Sequence, residues 1–300
     1  MKRRSLLPVL LALACAAGPR ATTPFDGAAA LRYVEQQVAF GPRVPGTEPH
    51  RRAGDWILQH LRGTADSVEV QSWTHVTASG DSLPLRNFIG RFRPAATDRV
   101  LLLAHWDTRP RADNEANLGA QRQPIPGAND GGSGVAVLLG VADVLANTPP
   151  TLGVDLLFVD GEDWGTDFSG PDALIGSRYY ATHLPRDRHP LYAVLFDMVG
   201  DADLRVYEEP YSVQGAPEVV TRVWAVARDL GYGNVFQPSI GPALTDDHIP
   251  LLEAGIRAID VIDFDYGPSN SYWHSLQDTP DKLSAKSLKV MGDVAVKLVM

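Results

Sequence analysis

Val100-Leu101-Leu102-Leu103-Ala104 runs straight into His105-Trp106-Asp107. Five apolar residues in succession, without alternation, read as a strand buried on both faces. The same pattern recurs downstream. Leu156-Leu157-Phe158-Val159-Asp160 leads into Gly161-Glu162-Asp163, and Val194-Leu195-Phe196 leads into Asp197. Gly127-Ala128-Asn129-Asp130-Gly131-Gly132 opens a helical pattern, and Thr245-Asp246-Asp247-His248 and Trp273-His274 follow. In a parallel α/β sheet the strand C-termini share one edge, and ligands bind there. These acids and imidazoles are therefore expected to converge, although much of the chain separates the first from the last.

Strands are predicted over 68–77, 85–92, 99–104, 154–159, 192–196 and 257–263. Helices are predicted over 28–39, 50–61, 134–146, 173–183, 217–231 and 284–299, with Ser284 as a cap and with Pro217 and Gly231 punctuating theirs. Residues 107–125 are polar and rich in proline, which suggests a surface loop near the site. Strand and helix alternate from residue 99 onward. The expectation is a three-layer α/β/α fold with a mixed, mostly parallel central sheet, in a single catalytic α/β domain over 25–300.

With 300 residues, 44% of them hydrophobic, the chain is long enough to bury a full core. Its formal charge of −9, with no basic run beyond the first residues, argues against a nucleic-acid partner. Lys2-Arg3-Arg4, an apolar run over 6–14 and small residues around Cys15 read as a signal segment at 1–17. That run is too short for a stable membrane span. Two outcomes stay open: lipid anchoring at Cys15, or ordinary cleavage that removes it. Either way an exported protein is expected, periplasmic or lipid-anchored to a bacterial membrane. Cys15 is the only cysteine, so the mature chain has no internal disulfide.

Taken singly, each candidate has an ordinary explanation. Asp130 reads as a helix cap, Glu162-Asp163 as a solvated turn and His274 as a structural histidine. The glycines around Asp130 shift that reading, because they allow close backbone approach to a ligand. Two acids after a buried run need a partner. Carboxylate and imidazole donors together are zinc chemistry. Trp106, Trp164 and Trp273 are candidates for an apolar wall of the site, with Trp273 favoured because it adjoins His274.

Seven segments occur in order: Phe40-Gly41-Pro42-Arg43-Val44-Pro45-Gly46-Thr47, Ala104-His105-Trp106-Asp107-Thr108-Arg109-Pro110, Pro126 to Gly134, Asp160-Gly161-Glu162-Asp163, Asp197-Met198-Val199-Gly200, Thr245-Asp246-Asp247-His248 and Trp273-His274. On them the chain resembles the bacterial zinc-dependent glutaminyl cyclases related to the animal enzyme, within the larger group of zinc aminopeptidases. The resemblance covers roughly residues 25 to 300 and implies a zinc-exopeptidase-like fold. It implies an acyltransferase that converts N-terminal Gln, and slowly Glu, of peptides and proteins to pyroglutamate with release of ammonia. One Zn2+ would be held by Asp130, Asp163 and His274, with Glu162 as general acid/base. Asp246 would partner Glu162, the choice between Asp246 and Asp247 being open, and Asp197 would be a further active-site acid. In the aminopeptidase relatives the positions of His105 and Asp197 bind a second zinc. There Asp130 bridges the metals and Asp107 orients His105. A two-zinc exported aminopeptidase is therefore the alternative. Asp163 stands where many relatives carry Glu.

Overall fold

The computed structural model describes residues 23–300; the predicted signal segment at 1–17 and Cys15 lie outside the described residues. Helix α1 (Gly27–Ala39) is capped by the Asp26 side chain, and α2 (Glu48–Thr64) by Thr47. Strands β1 (Ser67–Val76) and β2 (Ser82–Phe92) pair antiparallel. Then β3 (Arg99–His105), α3 (Gly132–Asn147), β4 (Gly153–Val159), α4 (Ile175–His183) and β5 (Tyr192–Asp197) alternate. Shorter pieces follow: β6 (Val206–Glu208), α5 (Pro210–Gly215), α6 (Pro217–Asp229), β7 (Phe236–Ile240) and α7 (His248–Glu253). β8 (Ala258–Ile262) and α8 (Ala285–Val299) close the chain.

The main sheet has six strands in the order β1-β2-β4-β3-β5-β8. β4, β3, β5 and β8 run parallel in sequence, while β2 lies antiparallel to β4. Every residue of β3, β4 and β5 is buried, as expected of central strands covered on both faces. Alternation divides β3 between two cores. Val100, Leu102 and Ala104 pack with residues of α1, α3 and α8, while Leu101 and Leu103 pack with Tyr180 of α4 and Leu251 of α7. The predicted three-layer arrangement with a mostly parallel sheet is what forms.

Two local features aim α3 at the sheet edge. A Cβ at Gly134 would come within 2.0 Å of the Phe196 carbonyl oxygen, so only glycine lets α3 lie this close to β5. Residues 107–125 are irregular apart from one 3₁₀ turn at Ala120–Arg122. Within that loop Asn114 donates twice: its N–H to the His274 carbonyl at 3.1 Å and its Nδ2 to the Trp273 carbonyl at 2.9 Å.

Helix α4 starts at Ile175, not at 173, because Leu174 has a left-handed φ of 54°. The elements β6, α5, β7 and α7 were not predicted. At three to six residues each they are too short to show a hydrophobic period. Among the described residues no helix is long and apolar enough to cross a membrane.

Candidate metal centre

The C-terminal ends of β3, β4, β5 and the segment after β8 deliver the predicted groups to one edge. His105, the last residue of β3, has Nε2 at 3.1 Å from Asp197 Oδ1 and 3.2 Å from Asp130 Oδ1. On the far side of Asp130, His274 Nε2 lies 3.5 Å from Asp130 Oδ2 and 3.4 Å from Asp163 Oδ1. Asp130 thus stands between two donor groups, His105–Asp130–Asp197 and Asp130–Asp163–His274. Within each, one ligand atom per residue lies within 4.8 Å of the others, and all five residues are buried.

These residues fit a divalent cation. Asp130 Oδ2 and Asp163 Oδ2 are buried without any hydrogen-bond partner. Such orphaned carboxylate oxygens are costly unless something positive meets them. Donors to one zinc at ~2.0–2.2 Å in tetrahedral array stand roughly 3.4 Å apart, the spacing seen between His274 and both carboxylates. Carboxylate oxygen and imidazole nitrogen are donors that suit zinc.

The backbone holds the donors in place. Asn129 and Asp130 donate their N–H groups to Asp278 Oδ1 and Oδ2 at 2.8 and 3.2 Å. Gly131 has φ of 74°, and a Cβ there would come within 2.5 Å of the Asp107 carbonyl. His274 itself has φ of 50°, an uncommon conformation for histidine and one that marks a site under constraint. Asp107 was expected to orient His105. Its Oδ1 lies 3.5 Å from His105 Nδ1, and its carboxylate also accepts the N–H groups of Glu162 and Asp163 at 3.1 and 3.3 Å. It fixes the turn that presents both acids.

A cavity of about 250 Å³ opens over the donors. Asp130, Glu162, Asp197, Asp246 and His274 line its polar end, while Phe168, Leu244, Ile262, Phe264 and Trp273 give apolar walls. No Lys or Arg is among its described lining residues. Of the three tryptophans, only Trp273 lines it, stacked on the His274 ring at 3.8 Å. Trp164 packs on Leu83, Leu85 and Ile175 instead. Trp106 is fully buried, stacked on His50 at 4.2 Å, with its indole N–H donated to the Arg86 carbonyl; it belongs to the core. Phe168 and Phe264 were missed; Phe264 lies two residues after β8, and Phe168 lies in the irregular segment between β4 and α4. Asp246 faces the cavity, whereas Asp247 accepts a hydrogen bond from the Ser177 hydroxyl.

Crowding of acids sets the electrostatics. Burial, reinforced by Asp163, Asp246 and Asp247 against the pull of His105, pushes the Glu162 carboxyl well above its ordinary range. Burial together with Asp197 and Asp247 does the same to Asp246. Burial also raises Asp163, but His274 and Arg109 outweigh it and hold that carboxyl at about 2.

Below the cavity, the buried Glu209 ties down the loop that carries Asp246. Its Oε1 accepts from the Leu244 and Tyr211 N–H groups at 3.2 and 2.9 Å; its Oε2 accepts from Ser212 N–H at 2.6 Å and lies 3.2 Å from His248 Nε2. Burial opposes ionisation, yet His248 and these N–H groups bring the carboxyl from 4.5 down to about 2. A depressed carboxyl stabilises the fold above its unfolded value, and that stabilisation disappears as pH falls from about 4.5 to about 2. Glu209→Gln should cost about 1–3 kcal/mol near neutrality, through the donors left unpaired. Urea unfolding against pH should show a shallower acid limb in that variant, and an unchanged limb would remove Glu209 from this role.

The sequence pattern of Peptidase family M28 matches residues 87–299. A glutaminyl cyclase of Bacteroides thetaiotaomicron superposes with a TM-score of 0.88 at 35% identity, over 93% of this chain and 99% of that one. A Zn-dependent exopeptidase of Parabacteroides distasonis gives 0.88 at 36%, again over 93% and 99%. The glutaminyl-peptide cyclotransferase of Bos taurus is 25% identical over 300 residues, 86% of this chain and 78% of its own. The family match runs from within β2 to the end of α8 and takes in every strand-end acid and histidine of the site, so the chain belongs to peptidase family M28.

Proposed function

We propose that this chain is an exported glutaminyl-peptide cyclotransferase acting on peptides and proteins with N-terminal Gln. The observation that carries the reading is the cavity: apolar walls and no cationic side chain among its described lining, closed at one end by four acids beside an imidazole. A neutral amide side chain suits the walls, and an α-ammonium suits the acids. Relatives named as cyclases support the reading.

Asp130, Asp163 and His274 would hold one zinc, which as a Lewis acid polarises a carbonyl oxygen and stabilises negative charge on it. The rest falls to the chain's own groups. A carboxylate oxygen of Glu162 takes a proton from the substrate α-ammonium. The freed amine attacks the γ-amide carbon, Glu162 passes its proton to the amide nitrogen as the amide C–N bond breaks, and the second proton shed by the ring nitrogen leaves with the ammonia as ammonium. Asp246, a second acid in the same cavity, favours one proton shared between the two carboxyls. Trp273, Phe264 and Phe168 confine the side chain, so that ring closure becomes a matter of holding one rotamer.

The complete second donor group, His105–Asp130–Asp197, favours one other reading, a two-zinc aminopeptidase. A panel of peptides separates them by mass. Gln-initiated peptides should lose ammonia. Glu-initiated peptides should react far more slowly, and best at mildly acidic pH, because their carboxylate is a poor electrophile and adds charge beside Glu162, Asp197 and Asp246. Asn would need a strained four-membered ring and should not react, nor should acetylated Gln, which lacks the amine. Removal of the first residue from a Leu-initiated peptide, with Gln peptides untouched, would overturn the cyclase reading.

A further inference from the structure

Arg109 is a cation buried beside the metal centre, 3% exposed, and no step above uses it. Its Nη1 donates to Asp163 Oδ1 at 2.6 Å, to the Asp163 carbonyl at 3.3 Å and to the Gly165 carbonyl at 3.0 Å. Nε and Nη2 both donate to Asp113 Oδ2, at 2.7 and 2.5 Å. The guanidinium carbon lies 5.8 Å from the centre of the Phe168 ring, which in turn lies nearly parallel to His274. A buried guanidinium costs free energy unless its donors are met, and this one is met on every nitrogen. The consequence for Asp163 is asymmetric. Oδ1 is engaged, whereas Oδ2 is buried and has no partner.

We propose that Arg109 is a positioning residue for the metal: anchored on Asp113 and on the Asp163 and Gly165 carbonyls, its Nη1 holds the Asp163 carboxylate in the orientation that faces Asp130 and His274. The inference rests on Asp163 being a ligand. An unheld carboxylate rotates between one-oxygen and two-oxygen ligation. Two-oxygen ligation adds a ligand and consumes the open position that a substrate oxygen needs. A hydrogen bond from a guanidinium that is itself anchored at its other nitrogens limits that rotation. Groups that orient a metal ligand in this way govern metal affinity as well as geometry.

The test uses the purified holoenzyme and three variants: Arg109→Met, Arg109→Lys and Asp113→Asn. Zinc retention is titrated with a colorimetric chelator, the visible spectrum is read after exchange of zinc for Co2+, and thermal midpoints report folding. Arg109→Met should surrender zinc at roughly 10–100-fold lower chelator concentration. Its cobalt bands should weaken, as expected when Asp163 takes up both oxygens and the coordination number rises. Arg109→Lys should fall between, since it restores charge without the fork. Asp113 is partly exposed, so Asp113→Asn should fold normally, free one end of the fork, and shift zinc retention several-fold in the same direction. A folded Arg109→Met with wild-type zinc retention and an unchanged cobalt spectrum overturns the inference. Should that variant fail to fold, the same result in Asp113→Asn overturns it. Asp163→Ala is the control. Full zinc there sinks the ligand assignment itself, while zinc loss there with silent Arg109 and Asp113 variants sinks only the role of Arg109.

Discussion

Glu162→Gln should abolish conversion of a Gln-initiated peptide while leaving zinc at its wild-type content. Glutamine keeps the shape of glutamate but carries no proton between donor and acceptor. Both halves of the proposed reaction need that proton, once from the α-ammonium and once to the leaving ammonia. Loss of a general acid/base costs about 10²–10⁴ in rate, and loss of both roles belongs at the upper end. Zinc should persist because Glu162 is in neither donor group. The turn that carries it is fixed from outside by Asp107, which bonds backbone N–H groups that the substitution leaves intact. The variant should also be at least as stable as the parent, since it removes one buried acid from a crowded set. Progress curves, elemental zinc analysis and a thermal scan check all three statements. Near-normal turnover would take Glu162 out of the proton shuttle, and a zinc-free variant would move it into the ligand set.

The sequence showed the fold where the chain repeats one physical signal and obscured it where the signal is short. β3, β4 and β5 were legible because each is a run of apolar residues buried on both faces. β6, β7, α5 and α7 were not, since three to six residues cannot display a period. At the site, Asp130, Glu162, Asp163, Asp197 and His274 stood out because each follows closely on a recognisable element or turn. The cavity walls did not. Phe168, Leu244 and Phe264 sit in irregular segments whose facing is decided by long-range contacts. Trp106 shows the converse error. Trp106 was named with Trp164 and Trp273 as a candidate wall residue, but successive residues of an extended chain point to opposite sides. His105 turns toward Asp130 and Asp197, while Trp106 turns to His50 and Phe88. Asp107 follows the rule in direction yet spends its carboxylate on backbone N–H groups, partners that side-chain patterns do not announce.

Asp130→Ala should have the second large effect, loss of all bound zinc and of all turnover. Asp130 is the one residue common to both donor groups, with Oδ1 toward His105 and Oδ2 toward His274. The folded backbone should survive the change. The Asp130 N–H bond to Asp278 is retained by alanine, and the approach of α3 to the sheet depends on Gly134 rather than on this side chain. The contrast with Asp197→Ala then fixes the number of ions. Asp197 belongs only to the His105 group. If one zinc sits among Asp130, Asp163 and His274, the wild-type protein carries one ion per chain, Asp197→Ala keeps it, and Asp130→Ala has none. If both groups are filled, the wild type carries two ions and Asp197→Ala carries one, which is the aminopeptidase arrangement. Elemental analysis of the three proteins after dialysis against metal-free buffer distinguishes these outcomes without any activity assay. A zinc-replete Asp130→Ala protein would contradict both arrangements, because both donor groups found among the described residues include that carboxylate.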